Sequence, residues 1–114
     1  LNCQTGRNAS TWVDVDLYGN QLTFMESKDL NMNQSLYKFE GEVLPKFHFG
    51  VILDEEKWKE CLSRMNDLDF VRNQSVEFLV GKSGHHLSFF IEDPNGYTIE
   101  FKCFVNPSEK FESD

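Results

Sequence analysis

The stretch SFFIEDPNGYTIEFK, residues 88–102, most narrows what this 114-residue chain can become. Two runs dense in aromatic and β-branched residues flank Asp93-Pro94-Asn95-Gly96. Pro94 presets φ for the first turn position and Gly96 tolerates positive φ, so the segment predicts a hairpin of His86–Glu92 and Tyr97–Phe104. In the second arm Thr98, Glu100 and Lys102 share one face, and Ile99, Phe101 and Cys103 the other. Glu100 thus admits two readings. It is a solvated charge paired with Lys102 along a wet face, or a carboxylate placed to hold a metal.

The rest of the chain supports a mixed architecture. Thr11–Leu17 nearly alternates polar and apolar residues, the period of a strand with one wet face. Tyr18-Gly19-Asn20 supplies a tight turn into Gln21–Met25, which predicts a second hairpin. Residues 26–43, ESKDLNMNQSLYKFEGEV, lack a period and read as a long loop. Phe47–Leu53 reads as a strand interrupted by His48. Asp54 is a good N-cap, and Glu55 and Glu56 follow where the helix dipole favours anions. Trp58, Leu62 and Met65 fall at i, i+4 and i+7, so a helix with one apolar stripe runs to about Asn66. Asp69-Phe70-Val71 and Val76–Val80 are short strand candidates before the final hairpin. The loop Gly81-Lys82-Ser83-Gly84 lacks the spacing and following helix of a phosphate cradle. The last residues, 106–114, are polar and read as a frayed tail.

Composition excludes several classes. A chain of this length holds one core, and 39% hydrophobic residues are enough to fill it. The net charge of −8 argues against nucleic acid, whose binding needs clustered Lys and Arg. No apolar run approaches the length of a bilayer span, so no membrane partner is expected. Cys3, Cys61 and Cys103 are an odd set without CxxC spacing, which predicts reduced thiols and a cytoplasmic protein.

His48 and Glu100 are the candidates for chemistry. Each sits in an otherwise apolar strand, where an unpartnered polar group costs about 1–3 kcal/mol. An imidazole nitrogen and a hard carboxylate oxygen together suit Fe, Mn, Ni or Zn. His85 and His86 begin the strand beside the one bearing Glu100, and His86 is a further candidate ligand. Trp12, Tyr18, Phe90 and Tyr97 are candidates to line an aromatic pocket, although most of the eleven Phe must be core.

These residues carry a resemblance. LPKFHFGVILDEEKW followed by SFFIEDPNGYTIEFK resembles the second module of the vicinal-oxygen-chelate superfamily, which includes glyoxalase I, bleomycin-resistance proteins and extradiol dioxygenases. In that family a βαβββ module opens with H-x-G-apolar, here His48-Phe49-Gly50-Val51. It closes with D-P-x-G-x-x-apolar-E, here Asp93 to Glu100. The resemblance implies an α+β fold in which βαβββ modules form a cupped mixed sheet with a helix on its outer face. It implies that His48 and Glu100 are metal ligands, with Glu100 as the catalytic residue.

The first module matches only in part. TWVDVDLYGNQLTF resembles its last two strands, while its opening strand and helix are absent from this sequence. Counting from the turn glycine as in the second module lands on Thr23, and a related G-H-Q-L-x-x-H pattern reads Asn20 and Met25 at its two histidines. The expected organisation is one glyoxalase-like domain: residues 1–26 a first-module remnant truncated at its N-terminus, 27–43 a loop, 44–105 a complete module, and 106–114 the tail. The expected function is glyoxalase- or dioxygenase-like, with one divalent metal and a small oxygen-rich or aromatic ligand in the cup. If an enzyme, it would be a metal-dependent lyase, isomerase or dioxygenase. The alternatives are a metal-free small-molecule binder of the sequestration type and an inactive dimerising domain. A sheet without its opening strand exposes an edge, so a homodimer is expected.

Overall fold

The computed structural model describes residues 3–29, 35–69 and 71–112, without the side chains of Asn73 and Gln74. The chain divides into two compact units, Leu1–Asn31 and Met32–Asp114. The class is α+β, as the sequence predicts, with one α-helix among the described residues and strands in open sheets.

The first unit is an antiparallel meander of β1 (Thr5–Ala9), β2 (Trp12–Leu17) and β3 (Asn20–Met25). The β2–β3 hairpin is the predicted one, and Leu17 pairs with Asn20 across a two-residue loop. Both loop residues, Tyr18 and Gly19, have positive φ, which matches the twist of the flanking strands. The Asp16 carboxylate accepts from the Gly19 N–H at 2.7 Å. The strand β1 was not expected, because TGRNA carries no apolar alternation and all five residues are exposed.

The second unit opens with a correction. Within the 27–43 stretch read as a loop lies the first arm of a hairpin, β4 (Leu36–Phe39) with β5 (Glu42–Pro45). Its loop, Glu40-Gly41, repeats the two-residue geometry of Tyr18-Gly19 with φ of 46° and 89°. A glutamate at positive φ is uncommon, so the turn lacks an Asn-Gly signature. Residues 30–34 of that stretch lie outside the described residues.

The βαβββ module follows. It consists of β6 (Phe49–Ile52), α1 (Glu55–Met65), β7 (Val71–Phe78), β8 (His86–Glu92) and β9 (Thr98–Phe104). Strand order is β6-β9-β8-β7, with β6 parallel to β9 and the other pairs antiparallel. The two short strand candidates after the helix prove to be one strand with register shifts, since bulges hide the strand period. Phe70, in the first of them, lies outside the described residues.

Asp54 caps α1, accepting from the Lys57 N–H at 2.9 Å, and that bond holds its carboxyl below the ordinary range. The buried stripe is Trp58, Cys61 and Met65. Trp58 donates from Nε1 to the Phe101 carbonyl at 2.8 Å, and its ring meets Phe89, itself stacked on Phe101 at 4.8 Å. One face of the β6-β9-β8 layer is thus closed by the helix, with Val51, Phe89, Ile91, Ile99, Phe101 and Cys103 buried. Full burial of a large apolar side chain stabilises by about 1.5–3 kcal/mol, so this layer carries the second unit.

The opposite face meets the hairpin. Leu44 of β5 joins Phe78 and Phe90 in a buried cluster with Tyr37, and Phe39 lies 5.3 Å from Phe78. The tail expected to fray is also pinned. Asn106 caps a 3-10 turn at Pro107–Glu109, and Glu109 accepts from the Gly84 N–H at 2.8 Å.

Candidate metal and ligand site

Register decides which polar groups meet. Gly50 of β6 lies opposite Glu100 of β9, and Ile52 opposite Lys102. His48, two residues before Gly50, therefore falls on the face that carries Glu100 and Lys102. The strands approach closely at this point. A Cβ on Gly50 would lie 1.9 Å from the Glu100 carbonyl oxygen, so only glycine permits this pairing.

His48 Nε2 stands 3.7 Å from Glu100 Oε2, with both side chains largely buried. Its other ring nitrogen, Nδ1, lies 3.1 Å from the Pro45 carbonyl. A carbonyl only accepts, so Nδ1 carries a proton, and Nε2 is the ring nitrogen turned toward Glu100. Glu100 is anchored in turn, since Oε1 accepts from Ser88 Oγ at 2.7 Å and Lys102 Nζ lies 3.6 Å away. One imidazole nitrogen and one carboxylate oxygen are left facing each other.

That donor set fits a divalent ion. Two donors each about 2.1 Å from one ion lie roughly 3–4 Å apart, and a carbonyl on the far nitrogen is the usual support of a metal-bound histidine. Among the described residues no third His, Cys, Asp or Glu converges on the pair. Further coordination would have to come from ligand oxygens or solvent.

A pocket of about 270 Å³ opens here, lined by His48, Gly50, Ile52, Glu100, Lys102, Phe104 and Lys110 among others. It sits at the small end of ligand sites. The first unit holds a second pocket of about 400 Å³, lined by Arg7, Asp14, Asp16 and Gln21 among others. Its buried carboxylate, Asp14, is already engaged by Thr23 Oγ1 at 2.7 Å and Arg7 at 3.4 Å.

The structure of the glyoxalase/bleomycin resistance protein/dioxygenase from Alicyclobacillus acidocaldarius aligns with 98% of this chain and 80% of its own, at a TM-score of 0.77 and 20% identity. The fold is the vicinal-oxygen-chelate fold. The genomically encoded fosfomycin resistance protein FosX from Listeria monocytogenes shares it, with a TM-score of 0.63, 15% identity, and coverage of 96% and 78% of the two chains. No sequence-family model and no curated protein matches the chain.

Within this fold the other candidate residues are distributed as follows. His86 is buried between the rings of Phe78 and Phe104, with Nδ1 2.7 Å from the Gly84 carbonyl. It pairs with Phe104 whereas Phe90 pairs with Glu100, which sets it four residues, roughly 13 Å, along the strand from the Glu100 row. Burial lowers its pKa, the Gly84 bond opposing, so it stays neutral inside the sheet. His85 Nε2 lies instead 3.8 Å from Glu77. Phe90 meets the His48 ring edge-on at 5.9 Å. Tyr97 packs against Phe47, away from the pocket-lining set. Trp12 and Tyr18 belong to the first unit, at the start of β2 and in its turn. Thr23, at the position corresponding to Glu100, bonds Asp14.

Three residues of the site were not singled out by the sequence. Ser88 is hidden because a serine in a strand carries no ligand signal of its own. Lys102 was read only as a surface partner of Glu100. Lys110 lay in the supposed frayed tail, although Asn106-Pro107 is a helix-start signature that would have marked the turn preceding it.

Proposed function

We propose that this protein binds a small oxygen-rich ligand at the His48–Glu100 pair through a divalent metal ion held by those two side chains. The observation that carries the reading is the orientation of His48. Its Nδ1 is committed to the Pro45 carbonyl, and its Nε2 faces a carboxylate oxygen 3.7 Å away. An imidazole nitrogen and a carboxylate oxygen at this spacing can share one divalent cation.

When bound, the ion would supply Lewis acidity toward adjacent ligand oxygens and stabilise negative charge on them. The chain's own residues do the rest. His48 and Glu100 fix the position, Ser88 and Lys102 orient Glu100, and Phe90 walls the imidazole edge. With two protein donors, several positions stay open for a chelating ligand. The protein is read as glyoxalase- or dioxygenase-like, with Glu100 as the residue nearest any chemistry.

A second reading is metal-free binding of a small molecule in the same pocket. It is favoured by Thr23 and Met25 standing where the resemblance leads one to expect donors, and by the absence of a third donor among the described residues. Metal content after purification without chelator separates the two. The metal reading expects about one ion per chain, lost in His48→Ala and in Glu100→Ala. A metal-free parent that still binds catechol would leave only the second reading.

The same view takes the protein as a homodimer. Among the described residues β3 ends its sheet, and its Phe24 and Met25 are exposed. Sedimentation as a monomer at micromolar concentration would count against this.

A further inference from the structure

We infer that Lys102 is a built-in counter-ion of Glu100, one that competes with a divalent ion for the carboxylate and so sets how tightly the His48–Glu100 pair holds metal. The inference deepens the function proposed above and rests on its metal reading.

The period of β9 is the starting point. Residues 100, 102 and 104 of that strand project from one face, so Glu100, Lys102 and Phe104 stand in a row. All three line the 270 Å³ pocket together with His48. Lys102 Nζ lies 3.6 Å from Glu100 Oε1, close enough for an ion pair. The pair is not on open surface, since the two side chains are 27% and 13% exposed. Screening by solvent is therefore incomplete, and charges a few ångströms apart still act on one another. Lys102 is flanked by Ile52 of β6 and Ser88 of β8, so its stem starts from a fixed point between two paired strands.

The two partners of Oε1 act on it differently. Ser88 Oγ donates to Oε1 at 2.7 Å and brings no net charge. It orients the carboxylate and leaves its charge for an ion. Lys102 brings a full positive charge to the same oxygen. A divalent ion between His48 Nε2 and Glu100 Oε2 would meet that charge within the same small pocket. Part of the attraction of Glu100 is then already neutralised, and the two cations repel each other. Lys102 thus orients Glu100 and at the same time opposes the ion.

Lys102 also has a second place to rest. Its Nζ lies 5.8 Å from the centre of the Phe104 ring, within reach of a cation–π contact. An ion that takes Glu100 leaves the ammonium against an aromatic face rather than without a partner. That contact limits the penalty, so Lys102 weakens metal binding by a modest factor.

Calorimetric titration with manganese separates competition from support. Lys102→Met keeps the apolar stem and removes the charge, while Lys102→Arg keeps the charge. A lysine that merely supported Glu100 would weaken metal binding when removed, as Ser88→Ala should. A competing lysine does the opposite. Lys102→Met is expected to bind manganese about tenfold more tightly than the parent, and Lys102→Arg to stay within about twofold of it. Lys102→Gln, polar and uncharged, should follow Lys102→Met, which guards against a packing effect of either side chain. A parent too weak to titrate beside a Lys102→Met that binds, and that loses binding again with His48→Ala, also supports the inference. Equal or weaker binding in either neutral variant overturns it and leaves the metal site standing. No binding in the parent or in any variant removes the inference and the metal reading together.

Discussion

The hairpins β2–β3 and β8–β9 both turn with a glycine, the first over two residues and the second over five, and they present different chemistry four residues after that glycine. From Gly96 that count reaches Glu100, whose carboxylate takes a hydroxyl from Ser88 and keeps one oxygen facing His48. From Gly19 it reaches Thr23, whose hydroxyl is spent on Asp14. The strands' edges differ too. β9 is covered by β6, which delivers His48, whereas β3 is the last strand of its sheet among the described residues. A ligand pair on a sheet needs two adjacent strands with the right residue at one register. The second unit meets that condition, and the strands β1–β3 of the first unit do not.

The largest break in this contrast is expected from Gly50→Val. A Cβ 1.9 Å from the Glu100 carbonyl would push β6 off β9, costing about 3 kcal/mol in a urea melt and removing metal binding. Retained stability would mean that the close approach is not required. Ser88→Ala sharpens the contrast without disturbing the strands. Loss of its 2.7 Å bond to Glu100 should weaken metal binding about tenfold, as removal of an outer partner does.

Acid separates the units further, because all three histidines lie in the second. His86 has its pKa lowered by burial, so its neutral form is preferred in the fold. Its contribution is present above the unfolded pKa of about 6.5 and is lost as pH falls through the lower folded value. Amide protection in β8, measured against the intrinsic exchange rate at each pH, should therefore fall below about pH 6. His86→Phe, which cannot titrate, should flatten that dependence, and an unchanged slope would remove His86 as its source. The smallest effect belongs to the first unit. Thr23→Val should cost about 1 kcal/mol through Asp14 and leave metal affinity unaltered.

Much of this was legible from residues. The final hairpin, the N-cap at Asp54, the helix stripe and the β2–β3 turn all follow from turn chemistry and periodicity, and local rules act there without competition. His48 and Glu100 were visible as polar groups in apolar strands. What was hidden depends on tertiary context. The β4–β5 hairpin turns at Glu40, a residue whose positive φ no local preference announces. The strand β7 is bulged, so its period is broken where the eye looks for it. His86 looked like a ligand from its position beside the Glu100 strand, but four residues of register carry it to a slot between two aromatic rings. Lys110 was visible as a residue and invisible as part of the pocket lining, since the turn before it is anchored to Gly84, a contact between distant segments.

The central claim is that His48 and Glu100 act as one site. A calorimetric titration with manganese of the parent, His48→Ala, Glu100→Ala and the double variant tests it most directly. The account predicts that either single substitution abolishes about as much affinity as both together, the signature of two ligands sharing one ion. A parent that binds no more tightly than the double variant would contradict it.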